Sequence, residues 1–196
     1  ELAKFQFVDD PAQTDVFVLN GIIPDPSGIA AQVQRGAGLV LIFGPNMSAA
    51  DVETVSGVPV ALTEKTDAVS LTEIKFDDPL VKQIIWNGAP QVRERIESVT
   101  PLSSVQPLVT AYESGAWILW AGNQPNIYFF NAFLTNCLDS QSQKTTIYNP
   151  QIQEWAYFNY LIYHLVERAA GRTPLSFADY PGSPVPHSSD RNALLL

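Results

Sequence analysis

The chain has 196 residues, 46% of them hydrophobic and only 16% charged, with a formal net charge of −9. That length suits one domain, or one domain with a tail, whose core needs no disulfide staples. The acidic balance excludes a nucleic-acid surface, because phosphate binding needs clustered Lys and Arg and the 11 basic residues here form no run.

The segment AKFQFVDD (3–10) alternates and reads as a short opening strand. TDVFVLNG (14–21) is a compact apolar run closed by Asn-Gly, which predicts a buried strand. In PDPSGIAAQVQRGAG (24–38), Ile29, Ala30 and Val33 share one helical face, Ser27 supplies a cap, and Gly36 and Gly38 stop the helix. LVLIFG (39–44) is apolar on both faces, as parallel strands covered by helices are. A Ser48-capped helix, SAADVETVSG (48–57), leads to a third strand, VPVAL (58–62). This β-α-β-α-β order implies a parallel sheet.

DDPLVKQI (77–84) reads as a short helix, and QVRERIESV (91–99) as strand or helix. Residues 107–134 carry three β-rich runs separated by ESGA and GNQPN, an antiparallel meander. QEWAYFNYLIYHLVERAAGR (153–172) predicts one long, largely buried helix with a wet strip at Tyr160, His164 and Glu167. The first 172 residues thus form the domain, and 173–196 a proline-rich extended tail. The closing RNALLL puts Arg191 before an apolar run, the pattern of an interfacial flank entering a membrane helix, with the tail as a juxtamembrane spacer.

The order TDVFVLNG, helix, RGAGLVLIFGPN, and later the meander and closing helix, resembles the class I glutamine amidotransferase-like superfamily over residues 12–170. It looks most like the degenerate branches, the trehalose-utilisation-like domains and related domains of bacterial membrane proteins. The resemblance implies a flavodoxin-like three-layer α/β fold, an open sheet with parallel central strands and an antiparallel edge meander. Catalytic members carry a cysteine at the turn after the second strand and a His-x-Glu pair near the C-terminus. Matching LVLIFGP to that turn places Phe43, or Gly44 with a one-residue slip, where the cysteine stands. Neither side chain can attack a carbonyl.

No other residue replaces the nucleophile convincingly. Ser48 suits a helix N-cap. Cys137, the single cysteine, reads as a buried, inert thiol. His164 with Glu167 imitates a His-x-Glu pair at the wrong spacing, and His187 sits in the tail, so no metal site is expected. Asp9-Asp10 and Asp77-Asp78 each precede proline, a turn and helix-start sequence rather than an acid-base pair. No glycine-rich nucleotide loop is present, and no cofactor is expected. Trp86, Trp117, Trp120 and Tyr128-Phe129-Phe130 read as core packing, with an exposed Trp86 as the alternative.

The resulting expectation is a non-catalytic interaction or ligand-binding module whose candidate site is the strand-end cleft of Asn20, Gly21, Gly44, Asn46 and Ser48. The resemblance implies a domain of a larger bacterial membrane-anchored protein, facing an extracytoplasmic aqueous compartment, with the cytoplasm as the alternative. Its partners would be another protein or other domains of the same chain, and membrane contact would come only through segments outside this one. The rival reading is a small hydrolase or sugar-modifying enzyme using Ser48, Asp51 or carboxylates at the strand ends.

Overall fold

A computed structural model describes residues 6–8, 10–97, 105–111, 114–134, 146–171 and 192–195, with 6–7 and 192–195 as backbone only. Asp9, Cys137, His187 and the tail from 173 to 191 lie outside the described residues.

The sheet is built around two strands that water never reaches. β2 (Val16–Asn20) and β3 (Gly38–Ile42) pair in parallel, from Val16↔Gly38 to Asn20↔Ile42. Because side chains alternate along a strand, Phe17, Leu19, Leu39 and Leu41 enter one core cluster, and Val16, Val18, Val40 and Ile42 enter the other. The first cluster is covered by α1 (Pro26–Gln34) and α2 (Ala49–Ser56), through Ile29, Val33, Val52 and Val55. The second is covered by α3 (Pro79–Lys82), α4 (Pro150–Glu154) and α5 (Phe158–Ala169), through Leu80, Ile152, Leu161 and Leu165. Helices on both faces of one sheet make the three-layer, flavodoxin-like α/β fold.

The remaining strands complete an open sheet of eight. β1 (Gln6–Phe7) stands at one edge, followed by β10 (Asn192–Leu195), β2, β3 and β9 (Ile127–Phe130), all parallel. β8 (Ala116–Ala121), β7 (Gln106–Ala111) and β5 (Glu73–Ile74) then run antiparallel to the other edge. β4 (Glu64–Lys65) and β6 (Arg95–Ile96) form a separate antiparallel ribbon.

Several expectations are corrected. VPVAL is not a strand; Val58 is buried, but Pro59 can donate nothing to a ladder, and the place beside β3 goes to β9. Asp25, not Ser27, caps α1 and accepts from Gly28 N at 3.0 Å, because Pro26 takes the first helical position and the cap falls on the residue before it, two positions ahead of Ser27. Ser48 does cap α2. The long C-terminal helix is broken into α4 and α5: Trp155 is extended (φ −65°, ψ 132°) and lays its ring against Trp86 and Tyr157, with centroids 5.4 and 5.5 Å away. The strip at His164 and Glu167 is not wet; those residues are only 6% and 3% exposed. The apolar run Ala193–Leu195, read as a membrane flank, pairs in the sheet with Val16–Val18.

Candidate functional site

In open α/β sheets ligands bind beyond the carboxyl ends of the strands, where successive loops leave for opposite faces. Here the loop after β3 leads to α2 on one face and the chain after β9 leads to α4 and α5 on the other, so the switch falls between β3 and β9. The five candidate residues do gather at the ends of β2 and β3, but the chain itself closes that end. Gly21 takes a left-handed conformation (φ 75°) and donates to Ile42 O at 3.0 Å. Its backbone then lies so near Gly44 that a Cβ on Gly44 would stand 2.5 Å from Gly21 Cα. Two glycines are needed because two backbones touch.

Phe43, which the amidotransferase-like resemblance matches to the nucleophile position, points inward. It is fully buried, stacked on Trp120 and Phe129 with centroids 5.5 and 6.1 Å away, and its amide donates to Phe130 O. Asn20 is half-buried, while Asn46 and Ser48 are exposed. The Ser48 hydroxyl accepts from Asp51 N at 3.4 Å, a cap at the long limit of a hydrogen bond. His164, the one histidine among the described residues, sits on α5 across the sheet from Ser48.

The end of β9 is closed differently, by two asparagines. Asn131 follows β9 directly and is completely buried. Its Oδ1 accepts from Ile96 N, and its Nδ2 donates to Ile96 O and Trp117 O. This fastens β6 onto the sheet and carries Ile96 into the cluster of Phe43 and Phe133. Asn149 does the same one step along: its Oδ1 accepts from Arg93 N and its Nδ2 donates to Glu94 O and Phe133 O. Its left-handed backbone (φ 40°), which asparagine tolerates better than most residues, turns the amide inward to reach them. In both amides the two Nδ2 hydrogens and the Oδ1 oxygen are engaged, two bonds donated and one accepted.

Arg95 locks the same ribbon. Its side chain is 3% exposed and donates to Asp67 O, Arg93 O and the Asp67 carboxylate. That guanidinium holds the Asp67 carboxyl below its ordinary value of 3.8, chiefly through the side-chain hydrogen bond. Among the described residues Arg95 Nε and Trp120 Nε1 are buried with no hydrogen-bond partner. Nothing in RERIE distinguishes buried Arg95 from exposed Arg93, and an asparagine after an apolar run reads simply as a turn. The clamps were therefore missed from sequence.

The other polar groups lie on the α5 face. His164 Nδ1 is 3.0 Å from Glu167 Oε2, one turn along the helix. Tyr160 donates to Gln83 Oε1 at 2.7 Å; burial, then the nearby Glu167 charge, pushes its phenol above the usual range. Arg168 donates to Asp78, the cap of α3, and lies 5.9 Å from the Tyr128 ring centroid. Burial raises the Tyr128 phenol, with Arg168 opposing. Trp86 is buried, not exposed, and donates to Val81 O. A small pocket on this face is lined by apolar side chains, among them Leu71, Trp86, Val109, Phe130, Trp155 and Phe158. Among the described residues no three His, Cys, Asp or Glu side chains gather as a metal site, and no helix is long and apolar enough to cross a membrane.

No protein-family model matches the sequence, and no curated protein matches it. Solved structures do. Cytoplasmic protein STM3548 from Salmonella typhimurium superposes with a TM-score of 0.57 at 15% identity, over 82% of this chain and 75% of that one. Cytoplasmic protein STM1381 from Salmonella typhimurium LT2 gives 0.48 at 15% identity, over 79% and 75%. SMU.1228c gives 0.47 at 16% identity, over 84% and 83%. At that identity the first likeness establishes the shared fold.

Proposed function

We propose that this chain is a non-catalytic binding module on an amidotransferase-like framework, acting by contact with a protein partner or with other domains of its own protein. The observation that carries this reading is the closed strand end. Gly21 against Gly44 leaves no room for a side chain at the second possible nucleophile position, and Phe43 at the first is fully buried in an aromatic stack. Ser48, the remaining hydroxyl, is engaged as a cap and lies across the sheet from His164, whereas an activated serine needs its base within hydrogen-bond reach. The membrane-anchored setting is part of the proposal and rests on the resemblance to bacterial membrane-protein domains; any anchor would lie outside the described residues.

The test is chemical. The chain is incubated with a chloroketone analogue of glutamine and, separately, a fluorophosphonate, then mapped by peptide mass spectrometry. We expect no stoichiometric adduct between Phe43 and Asp51. A stoichiometric adduct on Ser48, abolished by Ser48→Ala, would replace this reading with the hydrolase one.

A further inference from the structure

We propose that β10 is an exchangeable strand, and that the slot it fills between β1 and β2 accepts the same segment from a second copy of this chain. The inference goes beyond the non-catalytic reading and stands on strand order and on the sequence distance between α5 and β10. β1 and β2 are close in sequence, yet β10 lies between them and pairs in parallel with both. Both walls of the slot therefore present backbone hydrogen-bonding edges. The β2 wall is apolar on both faces, with Val16, Phe17, Val18 and Leu19 at most 4% exposed. An edge of that kind is a template for pairing whenever its neighbour leaves.

The connection to β10 is much longer than its task in one molecule requires. α5 ends at Ala169, whose carbonyl oxygen would stand 2.3 Å from a Cβ on Gly38. Gly38 is the register partner of Val16, and Val16 that of Ala193. The end of α5 and the start of β10 are thus about two strand spacings apart, roughly 10 Å. Residues 170–191 join them, and a chain of that length reaches roughly 70 Å when extended. Helix-to-strand connections in such folds commonly need about 2–6 residues. That reach lets Ala193, Leu194 and Leu195 pair in the slot of a second copy in the same register as in their own. Exchange of an identical element is a low-cost route to a dimer, and the occupant is a second copy because its segment already meets every demand of the slot.

Single-cysteine chains decide the matter. In a Cys137→Ser background, Val16→Cys and Ala193→Cys place thiols on register partners, a spacing a disulfide spans. The double variant should close intramolecularly. The two single variants, mixed at high concentration and then oxidised, should give the Val16→Cys/Ala193→Cys heterodimer. Its yield should fall about tenfold on tenfold dilution, since the intermolecular strand competes with a tethered one. Adding Leu194→Pro to the Ala193→Cys chain should abolish it, because proline removes a ladder donor. No heterodimer at any concentration, alongside quantitative closure of the double variant, overturns exchange. Failure of the double variant to close overturns the pairing itself, and a heterodimer that survives Leu194→Pro reports random collision and also overturns the proposal.

Discussion

Asn131 and Asn46 are the same residue type in opposite circumstances. Asn131 is buried and engages the backbone of Ile96 and Trp117, while Asn46 is exposed. Asn131→Leu keeps the number and branching of the side chain's heavy atoms but leaves the Ile96 amide and the Ile96 and Trp117 carbonyls without this partner, so we expect a loss of roughly 2–4 kcal/mol in urea unfolding. Asn46→Ala should stay within about 0.5 kcal/mol. Equal effects would remove the clamp from the account. Asp67 supplies a pH signature. Its carboxyl is held low in the folded chain by Arg95, so the pair's contribution is present above the ordinary aspartate value of 3.8 and fades as pH falls through the lower folded value. Asp67→Asn should therefore be less stable than the parent near neutrality, and the gap should shrink as pH falls below 3.8 through the lowered folded value. Being exposed, the carboxylate gives a small effect in salt. A gap that widens in acid would show that Arg95 does not depress Asp67.

At the scale of elements, the central strands and their helices could be read from residues, and the connections could not. Val16–Leu19 and GLVLI are apolar throughout, a pattern satisfied only where both faces are covered, and α1 and α2, which cover one of those faces, begin at Asp and Ser caps. VPVAL looks just as apolar; what decides against it is Pro59 and the arrival of β9 from far along the chain, and periodicity cannot report a distant competitor. The break between α4 and α5 was hidden likewise, because QEWAYFNYLIYHLVERA (153–169) keeps helical spacing across it and the cause is the Trp86 ring that Trp155 meets. If that contact sets the break, Trp155→Ala should cost roughly 1–3 kcal/mol, less than a fully buried tryptophan because Trp155 is half-buried. Thermal unfolding beside Trp86→Ala and the double variant measures it, and strictly additive losses would contradict the coupling. The candidate site divides the same way: the strand-end residues and the Ser48 cap were legible, while Asn131, Asn149 and Arg95 act on segments 14 or more positions away.

For the molecule as a whole, these contacts make the end of the sheet where related folds bind ligands a packed surface. Gly21 and Gly44 join the ends of β2 and β3, and the β4–β6 ribbon is fastened over the end of β9 by side-chain amides. The chain keeps the framework of an enzyme-bearing fold with its strand ends filled by its own backbone, and a fold of this kind does not dictate its activity. Among the described residues, what remains for contact includes the acidic exterior, the apolar pocket on the α5 face and the slot between β1 and β2 that β10 fills. Native-state hydrogen exchange tests the closed strand end most directly. The amide of Ile96, which donates to Asn131 Oδ1 across the closure, and those of Phe43 and Asn131, which extend the β3–β9 and β9–β8 ladders beneath it, should exchange only as fast as the central β3 amide of Val40, on the timescale of global unfolding. Exchange at Ile96 and Phe43 orders of magnitude faster than at Val40 would mean that the ribbon opens while the sheet stays folded, and that the strand ends form a gated site.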